Sequence, residues 1–302
     1  MEKEEKIIFL KNPNKVIEQL IKNFISESEL NKRKQIDDGF YWQEPIVGFA
    51  SGSDPLFSEF KTIIGEFHFT PREIISQALK EKGKVPLISE LDNISVISWI
   101  LPAAEDIRKS NRKEDQFPSK LWAYTREFGE ECNKALKIHI TNFLENLGYV
   151  AVAPTLSPSF QYINDKKVGW ASPWSERHVA YVCGLGTFGL CDGFITPKGK
   201  AIRIGSVVTS LKLIPNEKKY NHPKENCLFF QNGKCGKCIS RCPAGAISEN
   251  GHDKNKCREY IRSSQLETKR LEYGLKNPSP SCGLCQTGVP CESEIPRADL
   301  IA

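Results

Sequence analysis

The sequence has no apolar run long enough to cross a membrane as a helix. Its first residues, Met1-Glu2-Lys3-Glu4-Glu5-Lys6, are charged, and the apolar run behind them is too short for a secretory leader. Nothing else suggests export, so disulfides are not expected and a reducing cytoplasm is. A strong charge bias is also missing. Lys and Arg number 42 against 37 Asp and Glu, a formal charge of +5. That surplus is too small to support nucleic-acid binding, and the lysines read as a solvated surface. With 39% hydrophobic and 26% charged residues, the 302-residue chain has the composition of an ordinary globular protein of one large or two smaller domains.

Cysteine is what the chain has in excess. Eight of the eleven lie in the last quarter, as Cys227-x7-Cys235-x2-Cys238-x3-Cys242-Pro243, then Cys257, then Cys282-x2-Cys285-x5-Cys291. Short spacings let neighbouring thiolates point at one small cluster from a single loop. A Cys-Pro step closing such a run occurs in bacterial ferredoxins, where that cysteine ligates the other cluster of a pair. Two [4Fe-4S] clusters are expected. A zinc site on Cys235, Cys238, Cys282 and Cys285 would leave four cysteines unexplained. Each cluster with its thiolates carries about −2, which would bring the chain to about +1.

Along the chain, Val16, Ile17, Leu20, Ile21, Phe24 and Ile25 predict a helix within 13–35, capped by Asn12 or Asn14. Pro45–Ala50 reads as a short strand. Thr70-Pro71-Arg72-Glu73 has the capping-box pattern and starts a helix to about Lys82. Ile94–Pro102 is β-branched and apolar, a buried strand. A long helix is predicted over 119–147, then a strand over 149–154. The composite is an α/β or α+β core. Ser175–Cys183 reads as a helix running into a glycine-dense loop, Gly184-x-Gly186-x-x-Gly189. That loop matches a dinucleotide pattern, but the motif needs a strand before it and a helix after it, and here the order is reversed. Close backbone approach to something flat and large, or a tight turn, both account for the glycines.

Glu176-Arg177, Cys183-Gly184-Leu185-Gly186-Thr187-Phe188-Gly189, Ile195-Thr196-Pro197-x-Gly199 and Ile204-Gly205-Ser206-Val207-Val208-Thr209, together with the cysteine series, resemble the epoxyqueuosine reductases. These share a corrinoid-binding core and a two-cluster module with the reductive dehalogenases. The resemblance covers roughly residues 94–296. It implies an α+β fold: a nitroreductase-like corrinoid-binding core over 93–220 and a ferredoxin-like module over 221–302, behind a scaffold segment over 1–92. It implies one cluster on Cys227, Cys235, Cys238 and Cys291 and the other on Cys242, Cys257, Cys282 and Cys285. It also implies cobalamin or another corrinoid, contacted by Trp170, Arg177, Gly184, Leu185, Gly186, Phe188 and Gly189. Trp174 would help Trp170 enclose the cobalt face.

Departures from the family pattern shape the functional expectation. Seven residues, not two, separate Cys227 from Cys235, and five, not three, separate Cys285 from Cys291. The family carries an Asp-Thr-Gly-Pro segment whose Asp donates a proton, whereas Trp170-Ala171-Ser172-Pro173 stands here, and tryptophan cannot serve. Tyr124, Tyr162, His178 and Tyr181 are the weaker donor candidates. Cys132, Cys183 and Cys191 read as apolar fillers. The stretch after Cys291 is too short for a tRNA-binding domain and no twin-arginine signal is present, so tRNA and a membrane are not expected as partners. The expected function is a cobalamin-dependent iron–sulfur reductase fed by a low-potential donor of ferredoxin or flavodoxin type. The alternative is an electron-transfer protein that activates a partner corrinoid protein and has no substrate of its own.

Overall fold

The computed structural model describes residues 9–83, 85, 91–276 and 282–297, and the charged Met1–Lys6 stretch lies outside them. The strands used below are β1 Ile46–Ser51, β2 Ser95–Pro102, β3 Ala151–Val152, β4 Ile163–Asp165, β5 Gly169–Ala171, β6 Thr187–Phe188, β7 Phe194–Ile195 and β8 Ile202–Thr209. The helices used below are α1 Pro13–Glu27, α2 Pro55–Ile63, α3 Pro71–Glu81, α4 Glu105–Arg112, α5 Lys120–Tyr124, α6 Glu130–Asn146, α7 Glu176–Val182, α8 Leu228–Asn232, α9 Lys237–Ser240 and α10 Lys254–Ile261.

The fold mixes helix and strand around a four-stranded sheet of order β1-β2-β8-β3, antiparallel at every pairing. All eight residues of β2 are buried. Alternate side chains of a strand point to opposite faces. Ile97, Trp99 and Leu101 accordingly pack with Ile17 and Ile21 of α1 and Leu136 and Ile140 of α6. Val96 and Ile100 pack on the opposite face with Phe57 of α2, Ile75 of α3 and Val179 of α7. Helices on both faces leave β2 no polar side, which is why its sequence is mostly apolar, and its two serines bond to backbone: Ser98 donates to the Gly205 carbonyl and Ser95 accepts from the Leu213 amide. β1 comes from within residues 1–92 and pairs with β2 over six positions.

Local signals account for several boundaries. Asn12 caps α1 by accepting from the Lys15 amide at 3.2 Å. Thr70 and Glu73 form the reciprocal capping box of α3. The helix expected over 119–147 is interrupted by a π-helical turn at Thr125–Gly129. There the Trp42 indole donates to the Gly129 carbonyl at 2.9 Å and the Thr125 hydroxyl to the Leu121 carbonyl at 2.8 Å. Helices bend at such π-turns and where a side chain enters the backbone ladder. Only Ala151 and Val152 of the strand expected over 149–154 pair with β8.

Candidate metal centre

The glycine loop folds into a hairpin in which β6 pairs with β7. A Cβ on Gly186 would lie 2.3 Å from the Ile195 carbonyl oxygen, so this glycine lets the two strands approach. The hairpin turns Leu190, Cys191 and Ile195 into a small apolar cluster with Cys227, Cys238 and Cys291.

The last-quarter cysteines are brought to this cluster by short elements. Cys227 caps α8, and Cys238 lies in α9. The Cys291 loop lies across the chain at Gly199–Ala201. The Lys200 amide donates to the Cys291 carbonyl at 2.9 Å, and the Ala201 amide to the Glu292 carbonyl at 3.1 Å. Gly199 has φ +76°, and a Cβ there would meet the Glu292 oxygen at 2.2 Å, so the seat requires glycine on both counts. The Glu292 carboxylate, only 3% exposed, accepts from Arg112 of α4 at 2.8 Å and from the Gly288 amide at 2.7 Å.

Cys227, Cys235, Cys238 and Cys291 all line one small cavity, with Lys200 in its wall. Cys257 lies in α10 beside His252, whose ring meets Asp192 at 3.2 Å. Burial, with Cys257 and Cys242 nearby, pushes the Cys282 thiol up to about 12. Cys285, in the turn Leu284–Gln286, sits beside Cys191 and near Cys282. No disulfide joins any of the eleven cysteines. Among the described residues, no three His, Cys, Asp or Glu side chains close on a single metal ion.

Cys191 departs from its expected role as filler. Cys132 and Cys183 are fully buried among apolar side chains, and burial pushes Cys132 up to about 12. Cys191 instead accepts from the Lys200 ammonium at 3.2 Å and touches the thiols of Cys238 and Cys285. No spacing rule joins Cys191 or Lys200 to the later cysteines; only the hairpin does.

The other nominated residues scatter. Leu185 and Gly186 are buried, and Gly189 faces Ile195. A Cβ on Gly184 would lie 3.1 Å from the Glu217 carbonyl oxygen, and Phe188 packs on His178, Tyr181 and Phe194. Trp174 is 1% exposed, stacked on Phe57 and bonded to Ser206. Arg177 donates to the Asp192 carbonyl. Tyr124 donates to the Tyr273 carbonyl at 2.8 Å, and the His178 imidazole meets the Ser175 hydroxyl at 2.7 Å. Tyr162 is 60% exposed and stacks on Trp170. Trp170 also lies under the Arg258 guanidinium, 3.7 Å from its ring, which ties the β4–β5 hairpin to the helix that carries Cys257.

A second charged group sits where β8 runs on beyond β3. Lys137 pairs with Glu176 at 3.1 Å and Arg203 with Glu130, while Arg126 lies 3.9 Å from Glu130. Against the effect of burial, Arg203 and Lys137 hold the Glu130 carboxyl down at about 2. Sequence periodicity gives no sign of the whole group, because its members come from three separate stretches: 126–137, Glu176 and Arg203.

Among the described residues, no helix is long and apolar enough to cross a membrane. No family model matches the chain. The epoxyqueuosine reductase of Bacillus anthracis is 31% identical over 119 residues, which span 38% of this chain and 29% of the relative. An epoxyqueuosine reductase solved with a tRNA-Tyr epoxyqueuosine-modified stem loop aligns at 18% identity and a TM-score of 0.47, covering 93% of this chain and 66% of the other. A catabolic reductive dehalogenase in complex with 3-bromo-4-hydroxybenzoic acid aligns at 15% identity and a TM-score of 0.46, covering 93% and 37%. The first of these structures corrects the expectation about tRNA, because an epoxyqueuosine reductase similar to this chain holds a tRNA stem loop. Net charge, on which that expectation partly rested, sums over the whole surface and does not report a local binding face. Over its 119 matched residues, the chain is a sequence relative of the epoxyqueuosine reductases.

Proposed function

We propose that the chain is an iron–sulfur reductase holding two [4Fe-4S] clusters, one on Cys227, Cys235, Cys238 and Cys291 and one on Cys242, Cys257, Cys282 and Cys285. The observation that carries the reading is the meeting of the first four thiols on one cavity, with the second four beside it. The donor set fits: all are unbridged thiols, and iron–sulfur clusters are held by thiolates. When bound, such a cluster accepts and passes single electrons.

The chain's own residues place and shield the sulfurs. Leu190, Ile195 and Val289 give the first cavity apolar walls. The Ala246 amide approaches the Cys242 sulfur at 3.4 Å, a contact of the kind that stabilises thiolate charge. Arg241 donates to the carbonyls of Leu284 and Thr287 on one side and of Asn111 and Glu114 on the other, fixing the Cys282–Cys291 loop to the core. Both quartets draw on the segments 235–242 and 282–291, which places them side by side for transfer from an external donor of ferredoxin or flavodoxin type.

The resemblance also implies a corrinoid. Of the glycines nominated to hold it, Gly186 and Gly189 do not fit that role, since both face the chain's own hairpin. No step is therefore assigned to it. The relatives are named as reductases, which favours a substrate-reducing enzyme over an electron carrier. An epoxyqueuosine-bearing tRNA stem loop is the first substrate to test.

Anaerobic iron and sulfide analysis should give about eight of each per chain. Stoichiometric zinc without labile sulfide would end the reading.

A further inference from the structure

Lys200 is 2% exposed, yet among the described residues its ammonium has no carboxylate ion pair. Lysine is almost never buried so completely unless paired. Its ammonium donates to the Cys191 sulfur at 3.2 Å, and Lys200 also lines the cavity of the first quartet. Cys191 in turn touches Cys238, from one quartet, and Cys285, from the other. Asp192 braces this position: its carbonyl accepts from Arg177, and its carboxylate meets His252. The backbone amide of Lys200 is tied to the Cys291 carbonyl, which fixes the lysine's Cα beside that loop.

We propose that Lys200 is a fixed buried cation that raises the reduction potential of the cluster held by Cys227, Cys235, Cys238 and Cys291, with Cys191 anchoring its ammonium at the seam between the two quartets. This rests on the reading that the quartets carry clusters. One electron from a low-potential donor takes a four-thiolate cluster from about −2 to −3. Coulomb attraction to a neighbouring cation grows with that charge, and in a buried setting water screens it weakly. The cation therefore favours the reduced state. The second quartet shares this contact less, with Cys285 beside Lys200 against Cys238 and Cys291 of the first.

The test is an anaerobic potentiometric titration, followed by electron paramagnetic resonance, of the reconstituted full chain and of Lys200→Met, Lys200→Gln and Lys200→Arg. Iron and sulfide are measured first. With iron at the wild-type level, Lys200→Met and Lys200→Gln should each lower one midpoint by at least a tenfold change in the one-electron equilibrium constant, about 59 mV. The other midpoint should move less, and Lys200→Arg should restore the first. Unchanged midpoints in either neutral variant overturn the proposal. So does loss of iron from both, which would make Lys200 a support for the Cys291 loop. Wild-type protein that takes up no iron fails the underlying cluster reading instead.

Discussion

Gly186→Ala separates two accounts of the glycine loop. If the glycine clears room for an external ligand, a methyl group there leaves the unloaded chain as stable as before. The geometry gives the opposite expectation. The new Cβ would lie 2.3 Å from the Ile195 oxygen, 2.9 Å from the Ile195 carbonyl carbon and 3.0 Å from Phe194 Cε1. Two of these atoms are backbone on the paired strand β7, so relief requires the hairpin to open by about 1 Å. Overpacking of this kind costs about 1–3 kcal/mol. Removing a glycine from the unfolded chain returns about 0.4–1 kcal/mol. A net loss of about 1–2 kcal/mol follows. With a urea m-value of about 3 kcal/mol/M, the midpoint should fall by about 0.3–0.7 M. The assay is equilibrium urea unfolding of the reduced, metal-free protein by tryptophan fluorescence, with m unchanged. Because Ile195 also lines the first cavity, reconstituted Gly186→Ala should hold less iron there. An unchanged midpoint would refute the packing account and return the glycine to a ligand-facing role.

Cys242→Ala should lose the iron of one cluster and part of the other, since its segment carries ligands of both, whereas Cys132→Ala, a buried filler in α6, should keep the wild-type iron content; equal loss in both would count against the assignment. Glu292→Ala removes a buried carboxylate that accepts from Arg112 and the Gly288 amide. Breaking a buried pair costs about 3–5 kcal/mol, and the partly exposed Arg112 can regain water, so about 2 kcal/mol is expected. A lower thermal midpoint and faster iron release to a chelator would report it, and unaltered values would show that the Cys291 loop is held elsewhere. His68 is fully buried, and burial pushes it down to about 4 from the usual 6.5. The unfolded chain then binds the extra proton between those values, so the stabilisation is present above pH 6.5 and is lost as pH falls toward 4, by up to about 1.4 kcal/mol per unit. The stability gap between wild type and His68→Asn should therefore narrow from pH 7.5 to pH 5 in urea titrations, and a constant gap would contradict neutral burial.

Some of this protein was written in short stretches of sequence. The capping box at Thr70–Glu73, the Asn12 cap and the buried strand β2 depend on residues within a few positions of each other, so local chemistry decides them. The cysteine spacings likewise name the ligand type, because the reach of one loop limits which thiols can share a cluster. What the glycines of 184–189 are for was left open by the sequence, since a Cβ-free position looks the same whether it faces a ligand or another strand. Only the pairing of β6 with β7 turned Gly186 toward Ile195. The π-turn that breaks the helix over 119–147 needed Trp42, which lies far earlier in the chain. Trp170 read as a lost proton donor, and folding made it a contact with Arg258 of the Cys257 helix. Cys191 and Lys200 carried no motif at all. Their place between the two quartets exists because the hairpin, the Gly199–Ala201 seat and the Cys291 loop converge, and such long-range packing leaves no periodic trace in the order of the residues.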